Sequence, residues 1–441
     1  MRSLHPTRRG VLAGLTAASG LAVTRPAFAS NPDVVIIGAG SAGLAAAHRL
    51  SEEGLTWVLL EAAGRIGGRA WTESASLGQP FDHGASWMLH ANRNPFTRMA
   101  EEAGFTTYVD DAVPSQLYVG NRPATGAERR RESLAWDGMT KALSKAARLR
   151  QDVSAASLLP SDLPWIHVPE AWSGPISMGQ DFDKVSVLDW WAMDDPTPNR
   201  VVKEGYGTLV ARFGRDLPVS LKTAAKQVRW DGAGVEVETD RGSIRARACI
   251  VTVSTGVLGS GAIRFDPPLP LWKQEAIAGI PMGLLAKVGF GLSGSDRLGL
   301  NKDSWLSYYS ETTEVCYFYC WPFGRSQMIG FLGGQLAWDL TKAGKAAAVD
   351  FALQELKALF GSEIEQRVEA SVWTEWGANP LTQGAYATAL PGQFKQRRAL
   401  QRSVGDRLFF AGEACDVAWA QTVNGAYTTG VRSADAVART L

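Results

Sequence analysis

The residues Gly38-Ala39-Gly40-Ser41-Ala42-Gly43 follow directly on the apolar run Val34-Val35-Ile36-Ile37. Their spacing suits a phosphate. The first glycine makes a tight turn, the second lets backbone approach a pyrophosphate, and the third lets a helix pack close on a strand. The helix N-terminus then stabilises the anion through unpaired backbone N–H groups. Glu61 lies eighteen residues past Gly43, placed to bond a ribose hydroxyl. Beyond it run Glu61-Ala62-Ala63-Gly64-Arg65-Ile66-Gly67-Gly68-Arg69, where paired glycines allow close backbone approach and Arg69 can offset diphosphate charge. A different chemistry is suggested by Lys287, a charge inside the apolar run Met282 to Val288. A lysine is seldom buried without a task or a partner.

These residues need a frame. A strand at 33–37, a helix over Leu44 to Gly54 and a second strand over Leu55 to Leu60 form a βαβ unit that supports dinucleotide binding. Val235 to Glu238 alternates, and Asp240-Arg241-Gly242 reads as the turn of a β-hairpin. Residues 96–200 read as helical and mixed, with Glu128 to Glu132 a solvated helix face. Residues 284–395 carry aromatic strand-like runs, Val315 to Trp321 among them, and a helix near Ala346–Phe360.

Composition bounds the rest. With 441 residues the chain is too long for one core, and 45% hydrophobic with 20% charged residues excludes a disordered or fibrous protein. Basic and acidic residues balance at 45 and 44, which argues against nucleic acid. Four cysteines, Cys249, Cys316, Cys320 and Cys415, read as free buried thiols, and five scattered histidines show no metal-ligand spacing. The N-terminus reads as an address. Thr7-Arg8-Arg9-Gly10 is a twin-arginine pattern, a short apolar run follows, and Ala27-Phe28-Ala29 resembles a cleavage site. Removing 1–29 takes four arginines from the 45 basic residues, leaving 41 against 44 acidic ones, a net charge of −3. Export of a folded holoenzyme to a bacterial periplasm is the expectation, with the twin-arginine machinery as a transient partner.

The stretch Glu61 to Arg69 resembles the extended fingerprint of the flavin monoamine/polyamine oxidase family. Further motifs resemble that family in the right order: Asp82-His83-Gly84-Ala85-Ser86-Trp87 with Asn94-Pro95, Tyr206-Gly207-Thr208-Leu209 through Val253, Phe265 to Pro270 with Lys273, Phe410-Ala411-Gly412-Glu413-Ala414, and Thr422-Val423-Asn424-Gly425-Ala426-Tyr427. The resemblance implies an α/β fold. A Rossmann-like FAD-binding domain (30–95, 200–283 and 396–441) is interleaved with a substrate domain of a sheet plus helices (96–199 and 284–395). It implies FAD held by Gly38, Gly40, Ser41, Ala42, Gly43, Glu61, Ala62, Arg65, Gly68, Arg69, Gly84, Ala85, Ser86, Trp87, Ala225, Trp376, Gly412, Glu413, Thr422 and Val423. Ala385 stands where some relatives carry a flavin-linking cysteine, so the FAD is expected to be non-covalent.

By the same resemblance Lys287 holds a water at the flavin, Trp376 shields the ring, and Tyr386 and Trp419 form the two sides of an aromatic cage. Ordinary core packing is the rival reading for both aromatics. Where many polyamine oxidases read Trp-Ile-His-Gly, this chain has Trp87-Met88-Leu89-His90, which weakens a polyamine assignment. Asp181, Asp183, Asp189, Asp194 and Asp195 read either as a solvated acidic face or as an attractor for a polycation. The implied activity is oxidation of a primary or secondary amine to an imine and then an aldehyde, with O2 reduced to H2O2. A dehydrogenase feeding a periplasmic cytochrome, a polyamine oxidase and a non-catalytic flavin-binding protein are the alternatives. The 16 Trp favour a bulky or aromatic amine, and a homodimer is left open.

Overall fold

The short apolar run Val34–Ile37 forms the centre of a parallel sheet, and every residue in it is buried. Such a strand is apolar on both faces because helices cover both. Its neighbours are Trp57–Leu60 on one side and Ala248–Val251 on the other, with Val219–Ser220 and Leu408–Phe410 at the edges, all parallel. The computed structural model describes residues 31–110, 115–193 and 197–441. The leader at 1–29, Asp194 and Asp195 therefore lie outside the described residues.

The first helix, Ser41–Glu52, begins inside the glycine motif, three residues before the expected Leu44. This early start is possible because Gly43 brings the helix onto the preceding strand: a Cβ there would sit 1.8 Å from the Gly38 carbonyl oxygen. The last helix, Val423–Thr440, packs against the first. A Cβ at Gly430 would come within 2.1 Å of the Ala42 carbonyl oxygen, so this crossing also requires glycine.

A four-stranded sheet carries the expected hairpin, Val235–Thr239 against Gly242–Ala246, with Ala225–Arg229 and Arg264–Asp266 beside it. The remaining large element is a seven-stranded sheet. Its order is Val368–Trp373, Leu285–Leu292, Gln327–Gly333, Tyr317–Cys320, Ser304–Tyr308, Gln116–Val119 and Arg122–Pro123. Adjacent strands are antiparallel except for the pairing of Ser304–Tyr308 with Gln116–Val119. Helix Lys345–Phe360, one residue longer than expected, packs on the strand Val368–Trp373. A small antiparallel sheet joins Trp87–Met88 to Thr107–Val109 through Arg200–Val202.

All four cysteines are free and buried. The basic run at 128–132 lies on the long helix Gly126–Arg148, mostly exposed as expected. Within the acidic group Asp183 is exposed, as on a solvated face, whereas Asp181 and Asp189 are not. Asp189 is fully buried and forms a two-pronged ion pair with Arg397, while Asp181 accepts from the backbone N–H of Gln335. Neither is a loose surface charge, because each satisfies a donor at an element's end or in the core.

Candidate active site

A single cavity of about 1340 Å³ runs from the glycine motif to the aromatic face of the seven-stranded sheet. Pockets for one small ligand usually measure about 300–1,000 Å³, so this volume suits a cofactor and a substrate together.

At its nucleotide end the carboxylate of Glu61 accepts from Ala39 N (2.8 Å) and Ala63 N (2.7 Å), tying the glycine turn to the end of the second strand. Gly38 has φ +104°, a conformation that side chains other than glycine rarely adopt. The helix that follows has no side-chain cap at Gly40, which leaves its first backbone donors for an anion. Arg65 donates to the carbonyls of Ile66 and Gly68 and lies 4.7 Å over the Trp71 ring. Arg69 bridges to Glu413 Oε1 (2.8 Å) and Ala385 O (2.9 Å). Glu413 also accepts from Ala387 N, so one ion pair joins the fingerprint to the C-terminal motif. Thr422 caps the last helix through Gly425 N, and Ser41 Oγ donates to Val423 O.

Of the residues expected to hold the cofactor, all but Gly43 line this cavity. Gly43 acts one layer behind, through the close approach described above. This set fits FAD: glycine backbone, two helix N-termini opening on the space, and a carboxylate at the ribose distance along the chain. Ala385 lines the cavity and none of the four cysteines does, so no thiol is placed to bond a flavin.

Lys287 lies on Leu285–Leu292, the second strand of the seven-stranded sheet, and is buried. Its Nζ donates to Asp82 O (3.0 Å), Gly84 O (2.6 Å) and Ser86 Oγ (2.7 Å). All three ammonium protons therefore have protein acceptors. Register places Phe331 opposite it, and Nζ lies 5.2 Å from that ring. Burial pulls the amine down to about 8, with the Asp82 carboxylate opposing. Asp82, half-buried, is pushed above the usual carboxylate range by desolvation, and Lys287 opposes that shift. In its neutral form the lysine has a lone pair and can accept a hydrogen bond from Ser86 or a water.

Trp376 is buried, lines the cavity and donates its indole N–H to His83 O. Tyr386 also lines the cavity, and its hydroxyl is fixed on Ile176 O (3.1 Å). Trp419 is not among the lining residues. Its ring packs against His90 at 5.7 Å and under Arg93 at 5.5 Å, one step behind the wall. His90 itself is buried, with φ 57°, and reaches the cavity together with Leu89.

The wall opposite is built from tryptophans. Trp87, Trp136, Trp172, Trp190, Trp191, Trp305 and Trp376 line the cavity, whereas Trp165, Trp321 and Trp338 do not. Trp87 stacks on Trp305 at 5.5 Å, and Trp172 meets Trp305 edge-on at 4.9 Å. Trp191 remains 43% exposed and marks the open end. Trp136, Phe331 and Asp110 belong to the site without having been singled out in the sequence. Phe331 is placed by its cross-strand register with Lys287, which the sequence does not show, and Asp110 belongs to no motif. Asp110 accepts from Trp87 Nε1 and Tyr319 Oη, each at 2.5 Å. Among the described residues, the other lining carboxylates are Glu61, which holds two backbone amides, and Glu413, which is paired with Arg69.

Comparison with known proteins agrees with this geometry. The family profile "Flavin containing amine oxidoreductase" matches residues 41–171 and 182–438. Polyamine oxidase 4 of Oryza sativa subsp. japonica is 27% identical over 92% of this chain and 88% of its own. Probable polyamine oxidase 4 of Arabidopsis thaliana is 30% identical over 91% and 86%. A solved putrescine oxidase with putrescine bound superposes with a TM-score of 0.76 at 22% identity, covering 92% of this chain and 98% of that one.

Proposed function

We propose, from the premise that the chain belongs to the flavin-containing amine oxidoreductase family and is an FAD-dependent amine oxidase, that its substrate is a bulky aromatic or apolar amine. When bound, FAD supplies two-electron oxidising chemistry, with O2 as the acceptor and H2O2 as the product. The amine leaves as an imine, which water hydrolyses to an aldehyde. The chain's own residues bind, orient and dry the substrate. Ring faces of Trp87, Trp305 and Tyr386 attract an ammonium and then direct the neutral amine's lone pair. Lys287, lowered toward neutrality by burial, holds Ser86 and the Asp82–Gly84 backbone as a fixed edge, and in its neutral form can hold a water there.

The observation that carries this reading is the wall of seven tryptophans along the cavity. The relatives' names make a polyamine the second reading. Against it, Asp189, one member of the acidic group that could have drawn a polycation, is locked on Arg397. The leader sequence supports export by the twin-arginine route, and in a periplasm a cytochrome is the competing electron acceptor. Both points are separable by assay. Values of kcat/KM for benzylamine, phenethylamine and tryptamine should exceed those for putrescine and spermidine, with stoichiometric peroxide. Faster turnover of putrescine or spermidine would overturn the substrate assignment. Slow reoxidation in air with fast reoxidation by cytochrome c would replace oxidase by dehydrogenase.

A further inference from the structure

Behind the tryptophan wall four acidic and phenolic groups form an unbroken line of hydrogen-bond contacts. Asp110 Oδ1 accepts from Tyr319 Oη at 2.5 Å. Tyr319 Oη lies 2.9 Å from Tyr108 Oη. Tyr108 Oη donates to Asp303 Oδ1 at 2.6 Å. One end, Asp110, lines the cavity. The other, Asp303, is buried, follows exposed Lys302 in the chain and accepts from the Phe323 backbone N–H.

Counting protons shows what this line can do. Burial and the neighbouring carboxylates push both phenols well above their ordinary range, so each carries one proton at working pH. With both carboxylates ionised, those two protons point outward to Asp110 and Asp303, and the 2.9 Å contact between the phenol oxygens has none. Three contacts are saturated by three protons. The line is therefore one proton short, and a third proton satisfies it from either end: Asp110–H to Tyr319 to Tyr108 to Asp303, or the reverse. Reversing the direction moves a proton's worth of charge from the cavity to the far end without any heavy atom moving far.

We propose that Asp110, Tyr319, Tyr108 and Asp303 form a proton relay that removes the substrate ammonium's proton from the cavity. The inference rests on the amine-oxidation reading above, because an alkyl ammonium must lose one proton before its α C–H bond can be broken as hydride. The step balances: the ammonium N–H bond breaks as the Asp110 O–H bond forms, three protons shift one place along the line, and Asp303–H releases one to water. Trp87 Nε1, which donates to Asp110 Oδ2, fixes the carboxylate with Oδ1 toward Tyr319. The charged groups around the line include Arg325, whose guanidinium lies over Phe323 and is attracted by Asp82 and Glu204 as well as by Tyr108 and Asp303, Lys287 beyond Phe331, and Arg200 with Glu101 on the adjoining strand and helix. Cations on this side favour keeping the net negative charge that one shared proton leaves.

Two measurements test the relay. The first needs no turnover. Infrared titration of the resting holoenzyme should show one protonated carboxyl whose band disappears in both Asp110→Asn and Asp303→Asn and shifts in Tyr319→Phe. A band lost in only one of the two aspartate variants, or no such band, would overturn the sharing. The second is anaerobic flavin reduction across pH with tryptamine as the probe. Tyr108→Phe and Tyr319→Phe should fall on the order of a hundredfold below wild type at low pH and converge with it at high pH, where the amine is already neutral. Parallel profiles would mean a structural role and overturn the relay. If wild type is not reduced by tryptamine or any other amine, the amine-oxidase reading fails instead, and the infrared result still decides whether the proton is shared.

Discussion

Replacing Lys287 by Met turns its burial into a measurable pH dependence of stability. Burial lowers this lysine from 10.5 to about 8. At about 1.4 kcal/mol per pH unit, the folded protein carries a penalty of ~3 kcal/mol wherever the lysine is protonated in both states. The sign follows from proton counting. Below pH 8 the lysine is charged folded and unfolded, so the whole penalty applies. Between about 8 and 10.5 the unfolded chain binds a proton that the folded chain does not, and stability rises with pH. Above that window both forms are neutral and the penalty is gone. About 2.5 kcal/mol should be recovered between pH 7 and pH 10. Lys287→Met removes the titrating group but strands the Asp82 and Gly84 carbonyls and the Ser86 hydroxyl, so its absolute stability is offset by a constant. The difference between the two proteins isolates the lysine, because every other group titrates in both. Losing the cation also raises Asp82 further. Urea unfolding of both proteins at pH 7, 8, 9 and 10 measures the difference. Wild type should gain ~2.5 kcal/mol on the variant across the series. A difference flat to within about 0.5 kcal/mol would show that the lysine is solvated in the folded protein. A difference of opposite slope would show that attraction to Asp82 outweighs burial.

The Asp189–Arg397 pair is buried on both sides, so Arg397→Met should cost about 3–5 kcal/mol by stranding a carboxylate, and Asp189→Leu with Arg397→Met together should recover most of it. Chemical denaturation of the singles and the double decides this, and a double no better than the single would contradict it. Gly43→Ala puts a Cβ 1.8 Å from the Gly38 carbonyl oxygen, so the variant should lose bound flavin absorbance on purification while keeping far-UV circular dichroism. Retention of a full complement of FAD would show that the helix can retreat. Trp305→Ala opens the aromatic wall between Trp87, Trp172 and Phe331, and should raise KM for tryptamine about tenfold or more while leaving putrescine nearly unchanged. Equal loss for both amines would remove Trp305 from substrate selection.

The cofactor end was legible because its constraints are local. A glycine needed for a turn or a close approach must appear at a fixed place in the chain, and Gly38, Gly43 and Gly68 do. The same locality explains the hairpin at 235–246, where the turn residues sit between the strands they join. The aromatic end depends on which strands meet. Asp110 and Trp87 are brought together because the strand that ends just before Asp110 and the strand that holds Trp87 both pair with Arg200–Val202, a contact that no spacing announces. Trp419 has the right place in its motif, yet its ring lies against His90 and Arg93, because side-chain direction is set by packing across elements. Asp189 was grouped with its charged neighbours along the chain, while its partner Arg397 lies more than two hundred residues away.

The central claim is that this cavity binds FAD and oxidises an amine through it. Anaerobic mixing of the purified holoenzyme with one equivalent of tryptamine, followed by flavin absorbance, tests it most directly. Full bleaching is expected, with one aldehyde formed per flavin. An oxidised spectrum unchanged by tryptamine, benzylamine and putrescine alike would contradict it.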